Sequence, residues 1–283
     1  MEQQAVYDEI MNDCRTRSNT SGTTAFAHPG NDTLWKNITI DCFVCPSDRW
    51  AKAKRAQDAS GNYKSMSRTS YAACWGDIPS NYRTDSFIRG VMFNSTTNAN
   101  INGKVIGMEG ITDDTSNTIV WSESLVGRVE ASNGNPLAAG EDLYKIGVAR
   151  PASNAAPDDC MAVRGTDGGY ATGVTGYGGK GTRWAHSAQG YGAFFTILPP
   201  NAPSCTDSGT QWALESVGYI TASSHHSGGV VGGLLDGSVR FVSETIDWGT
   251  NGGTRSAKTY TGESIYGVWG AVGTIDRGES KTL

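Results

Sequence analysis

The chain is poor in charge, in histidine and in long apolar runs, and each shortage narrows what it can do. Only 18% of its 283 residues are charged, giving a net charge of −5 and a pI near 5.4. Nucleic-acid binding draws on clustered Lys and Arg, and the longest basic run, KAKR at 52–55, reads as a solvated loop face. Nothing in these residues reads as a membrane span, because no run of about 18 apolar residues occurs. No secretory signal is visible either. Histidine is limited to His28, His186, His225 and His226, which leaves little for a metal cluster or an imidazole-based site.

What is there is turn chemistry. Glycine numbers 37, hydrophobic residues reach only 37%, and Ser, Thr and Asn make up the balance, which suits a water-facing β protein. No linker-like shift divides the chain, so 1–283 reads as a single domain. Residues 2–15 read as a helix with a narrow apolar stripe of Val6, Ile10 and Cys14, and residues 16–283 as a β-rich globular region. Strands are expected at 38–44, 70–75, 87–93, 118–122, 143–148 and 194–198, with Ile119 and Trp121 sharing one face, while 217–222 leads into a hairpin and 265–272 closes the domain. The Pro-Pro-Asn-Ala-Pro stretch at 199–203 reads as extended and exposed. The fold class is α+β, a helix on an antiparallel sheet.

The clearest local signal is at 223–247. Val230 to Leu235 and Val239 to Val242 form two arms, and Asp236-Gly237 reads as a two-residue type I′ turn between them. His226 lies ten positions before Asp236. Gly228, Gly229, Gly232 and Gly233 strip the first arm of bulk and invite close backbone approach.

Several segments carry a resemblance in the right order. They are MEQQAVYDEI (1–10), CPSD (45–48), SYAAC (70–74), ITDDTSNTIVWSE (111–123), FFTILPPNAPSC (194–205), His226 with Asp236-Gly237, and YGVWGAVGTIDRGE (266–279). Together they resemble a family of prepilin-like, type II secretion pseudopilin-like secreted proteins of planctomycete-type bacteria. That family carries a His-(nine residues)-Asp-Gly signature and is otherwise of unknown function. Asp114 departs from it, since the family pattern usually has Gly there, so that turn differs in shape or gains a ligand. The resemblance implies a pilin-like ectodomain with large β- and loop-rich insertions, residues 1–15 being the end of a helix whose apolar half lies upstream. It further implies a subunit on the periplasmic or extracellular face of the cell envelope. Its partners would be other pilin-like subunits or secretion machinery, met through that helix.

Six cysteines form an even set that fits an oxidising compartment. Cys160 is expected to bond Cys205, which ends the Pro-rich segment. Cys45 with Cys74 and Cys14 with Cys42 are the further pairs, though a cysteine upstream could claim one of them. Cys42 and Cys45, three residues apart on an expected strand, would stand about 10 Å apart, too far to bond each other. A zinc site there lacks two further ligands. A Ser-His-Asp set from Ser224 or Ser227, His226 and Asp236 is conceivable, but no Gly-x-Ser-x-Gly turn accompanies it. The preferred reading gives His226, Asp236 and Gly237 structural roles. Asp113 and Asp114 could offer oxygens to a Ca²⁺, although the segment lacks the EF-hand spacing and reads as a metal-free turn. No cofactor or catalytic residue is expected, and the function expected is a non-enzymatic structural or assembly one. An extracellular carbohydrate- or solute-binding module is the alternative, although the eight tryptophans are dispersed.

Overall fold

A computed structural model describes residues 3–21, 36, 38–55, 59–60, 66–79, 89–92, 107–128, 143–151, 155–184, 188–206, 214, 217–249, 262–276, 278 and 283. It is α+β, with helices and two mixed sheets. The helix α1 spans Gln4–Ser21, longer than the expected 2–15. Its side chains are described as far as Asn12 and none of them is buried; Tyr7 is exposed. The expected seating of this helix on a sheet is therefore not seen among the described residues.

Among the described residues nine strands follow: β1 (Tyr71–Cys74), β2 (Ile119–Glu123), β3 (Val148–Arg150), β4 (Thr175–Tyr177), β5 (Ala193–Phe194), β6 (Ser204–Thr206), β7 (Gly218–Tyr219), β8 (Gly229–Leu234) and β9 (Val239–Ser243). The larger sheet runs β5-β1-β2-β8-β9 and the smaller β4-β3-β6-β7. Neither is purely antiparallel, as the sequence had suggested, because β1 with β5 and β3 with β6 are parallel. A parallel pair needs a long crossover, and the long segments between those strands supply it.

The 230s hairpin forms with different turn chemistry. Leu234 N–H donates to Ser238 O at 2.8 Å and Gly237 N–H to Leu234 O at 3.0 Å, which makes a three-residue loop. Only Gly237 has a positive φ, 86°, so the turn is type I closed by a left-handed glycine rather than type I′. Asp236 Oδ1 accepts from Ser238 N and Oγ at 2.8 and 2.6 Å, and this holds its carboxyl below the usual range. The glycines do admit close neighbours. A Cβ on Gly229 would meet Val242 O at 2.1 Å, and one on Gly232 would meet Ile119 Cδ1 at 2.7 Å.

Other sequence expectations shift for identifiable reasons. Residues 41–43 form a 3₁₀ turn, not a strand. Residues 89–92 are not strand either; Gly90 lies so close to Gly76 that a Cβ on either would clash with the other's backbone. Residues 143–146 are a helical turn ahead of β3, and 267–271 are helical too. Trp269 there is fully buried, donating to Leu198 O at 2.7 Å and stacking on Phe194 at 6.1 Å. Pro199 to Pro203 is buried rather than exposed. Proline has no N–H to orphan in a core, and Ala202 N–H closes the turn on Pro199 O. A register shift between Ile119 and Trp121 breaks the alternation of β2, so Ile119 is buried while Trp121 is 47% exposed.

Cys160, on the helical turn Pro157–Ala162, is disulfide-bonded to Cys205 on β6 as expected, with Cα atoms 5.6 Å apart. Cys45 and Cys74 are thiols, so the expected Cys45–Cys74 bond is not formed; the expected Cys14–Cys42 pair involves the side chain of Cys14, which lies outside the described residues. Cys74 is buried in the core, Sγ against Gly273 O at 3.9 Å, and burial pushes its thiol up to about 12. Cys45 sits on a partly exposed loop with Ser47. Replacing both Cys160 and Cys205 by Ala should lower unfolding stability by about 4 kcal/mol, the chain-entropy value for a loop of 45 residues. Urea titration of the non-reduced protein checks this, and an unchanged midpoint would refute it.

Candidate functional site

The signature histidine is held by a residue that sequence reading had passed over. β2 ends at Glu123, which is buried although acidic, and a buried carboxylate needs partners. Its Oε2 accepts the Val231 N–H of β8 at 2.8 Å, and its Oε1 lies 3.1 Å from His226 Nε2. One side chain thus ties the central strand to its neighbour and to the loop before it. The His226 imidazole is half-exposed while the Glu123 side chain is only 10% so, so the anchoring weight falls on the carboxylate.

Around this pair lie more polar groups. Ser224 Oγ donates to Gly229 O at 2.7 Å and accepts His226 N–H at 3.0 Å. Ser224 N–H donates to Asn201 Oδ1 at 2.9 Å. Asn201, at φ 63°, reaches Gly229 O and Glu244 Oε2 through Nδ2. This is what the Pro-Pro-Asn stretch does: it seats a left-handed Asn under the histidine loop. On the far side Asp48, fully buried, accepts from Trp50 N, Ala51 N, Ser70 Oγ and Val126 N at 2.9–3.2 Å. Four donors compensate one desolvated carboxylate, so the CPSD segment is a staple between its own loop, β1 and the chain after β2.

Lys180 completes the cluster. It is buried, with Nζ 2.9 Å from Thr221 O, 2.9 Å from Ser223 Oγ and 3.3 Å from Lys145 O. Burial lowers its ammonium from 10.5 to about 7, with Asp48 pulling the other way. Ser223 Oγ also accepts Leu125 N–H at 3.1 Å. Beside Glu123, Ser223 and Ser224 is a cavity of about 10 Å³, lined also by Cys45, Ser70 and His225 among others. That is room for a single water.

The sequence-derived residues do not converge as a triad. Asp236 sits at the hairpin tip, where its own N–H donates to Thr115 O at 3.1 Å, a six-residue strand away from His226, or roughly 20 Å. The acidic turn is also built for shape. Asp114 takes φ 72°, a left-handed conformation that Asp and Asn tolerate and Gly adopts freely, and its carboxylate caps Ser116 N and Oγ. Asp113 binds Gly278 N–H at 2.6 Å and Thr274 Oγ at 3.3 Å. Both carboxylates are thus engaged in tying backbone, and no group of three or more His, Cys, Asp or Glu among the described residues is placed to hold a metal ion.

Fold and cluster together define an α+β protein whose central sheet is braced by buried carboxylates beside a one-water cavity. A family model described as "Protein of unknown function (DUF1559)" matches residues 1–249, and the chain belongs to that family. No curated protein and no solved structure matches it.

Two outcomes follow from this geometry. Glu123→Ala should destabilise by roughly 2–4 kcal/mol, since it orphans the Val231 amide inside the sheet. His226→Ala, losing one half-exposed contact, should cost under about 1 kcal/mol. Paired denaturant curves decide it, and equal losses would be the contrary result. Lys180 gives a pH signature. Its folded pKa, about 7, lies below its unfolded 10.5, so between these values only the unfolded chain holds the extra proton, and stability rises with pH. Below about 7 this group contributes no further slope. Unfolding midpoints from pH 7 to 10 should climb in the native chain relative to Lys180→Met, and parallel curves would refute the assignment.

Proposed function

We propose that this chain is a non-enzymatic structural or assembly subunit, the pilin- or pseudopilin-like ectodomain of a protein on the periplasmic or extracellular face of the bacterial cell envelope. The observation that carries the reading is α1, an 18-residue helix with none of its described side chains buried. A helix of that kind lacks the tertiary packing that ordinarily stabilises helices and is suited to packing against another subunit. Two further features support a scaffold. Glu123, which meets the signature histidine, braces the sheet, and the cavity it lines has room for one water, not for a substrate.

In this reading an apolar segment of about 20 residues ahead of residue 1 anchors the precursor and then packs between subunits. Its burial is favourable at roughly 25 cal/mol per Å². Residues 1–283 alone should remain monomeric in light scattering, and the longer chain bearing that segment should assemble. Filaments from residues 1–283, or a gene whose upstream sequence is polar, would overturn the proposal.

One observation favours the alternative, a carbohydrate- or solute-binding module. The β2-β8-β9 face presents Trp121, Val239 and Phe241 at 47%, 67% and 55% exposure, gathering aromatics that the sequence spaces far apart. Exposed aromatic faces suit stacking on sugar rings. A saturable change in tryptophan fluorescence with soluble oligosaccharides, lost in Trp121→Ala, would favour that module over the assembly subunit.

A further inference from the structure

We propose that the outer edge of β9 is a docking site for an extended peptide segment of apolar–acidic–apolar pattern, which joins the larger sheet as a further strand. β9 ends that sheet, with β8 its only neighbour in it. The register between them is unbroken from Gly229↔Ser243 to Gly233↔Val239. Two bonds fix the phase of the ladder: Leu234 N–H donates to Ser238 O at one end and Glu244 N–H to Gly228 O at the other, both at 2.8 Å. Bonded and non-bonded pairs alternate along an antiparallel ladder. Arg240 and Val242 therefore bond β8, while Val239, Phe241 and Ser243 turn their N–H and C=O groups outward. The far side of β8 agrees with this phase. Val231, opposite Phe241, donates its N–H to Glu123 and accepts from Ser122 Oγ on its O, both on β2. Among the described residues only one of the outward groups on β9 has a partner, Ser243 O, which accepts Ile246 N–H at 3.2 Å.

An edge of this kind takes up other strands unless it is blunted. β9 has no proline and no bulge against β8. Val239 and Phe241 stand exposed on the face they share with Trp121. Gly233 lies between Trp121 and Val239 and leaves that row open, since a Cβ there would meet only Trp121 Cβ, at 4.0 Å.

These positions choose the occupant. In a strand laid antiparallel on β9, the residues opposite Val239 and Phe241 extend the apolar row. The residue between them lands opposite Arg240, on the other face. Arg240 is exposed and is the one charged residue of β9. Its guanidinium bonds Leu283 O at 3.4 Å and makes no ion pair among the described residues. A Glu or Asp opposite it completes a cross-strand ion pair. Backbone bonds thus supply the attachment and alternate side chains the selection. A second copy of this chain offers no such match, because antiparallel pairing about Phe241 sets Val242 of the other copy against Arg240.

The test uses the whole chain, isotope-labelled and titrated with acetyl-Thr-Thr-Val-Glu-Val-Thr-amide, with amide hydrogen exchange read residue by residue. At roughly 90% occupancy the Val239, Phe241 and Ser243 amides should exchange about tenfold more slowly, since only the unoccupied fraction stays open to water. Arg240 and Val242, already bonded to β8, should not change. Replacing the peptide's Glu by Lys should weaken binding about five-fold, the upper range for a directly opposed charge pair. N-methylating its two valines should abolish binding, because those amides face β9. Phe241→Pro removes an outward N–H that β8 does not use and should abolish binding as well. The N-methylated peptide leaves the protein untouched and decides the matter if that variant does not fold. Unchanged exchange at the three amides, or equal binding by the N-methylated or Lys peptide, overturns the proposal. So does the same protection appearing without peptide as chain concentration rises, which is self-pairing. Docking here needs neither α1 nor an upstream segment, so this experiment and the light-scattering one fail separately.

Discussion

The sheet depends on a carboxylate out of water at its centre. Glu123 is desolvated at the end of β2, and its cost is offset by the β8 amide it accepts and by the imidazole beside it. Because Val231 N–H and His226 meet one side chain, the β2–β8 register and the entry into the hairpin are fixed together. A one-residue slip would move Glu123 to the opposite face and strand the charge. Asp48 does the same for the other side of the cluster, drawing four donors from three stretches of chain. Buried carboxylates of this kind contribute specificity more than net stability.

Small residues let these braces work. Gly232 lies where any Cβ would strike Ile119, and Gly229 where one would strike Val242, so β8 passes between two strands at close range. The tip of the hairpin is docked as well. Leu235 N–H reaches Thr118 O at 2.9 Å and Asp236 N–H reaches Thr115 O, so the turn at 114–118 and the turn at 235–237 lock each other. Asp114 takes on the left-handed position and binds its own turn through Ser116.

Much of this was legible in part. The hairpin, β1, β2 and the Cys160–Cys205 bond could be read from β-branched runs, turn residues and cysteine placement, because those signals are local or nearly so. Glu123 carried a weak signal, a lone acid closing an apolar strand, as did Asp48 within CPSD. Lys180 carried none, since its partners lie 35, 41 and 43 residues away. The strand expected at 38–44 became a turn because the Phe43 and Val44 amides bond back to Ile40 O and Asp41 O rather than across to another strand, a choice that period-two reading does not register. Trp121 faces outward because a bulge, invisible to period-two reading, intervenes before it.

The sequence by itself determined the class of secondary structure and the presence of a turn at Gly237, since composition and φ preference act within a few residues, and its cysteine placement pointed to the Cys160–Cys205 pair. Tertiary structure alone decided which faces were buried, that the sheets are mixed, and that His226 meets Glu123 rather than Asp236. Each of these is set by desolvation and hydrogen-bond satisfaction between segments far apart in the chain, and those balances exist only once the segments have met.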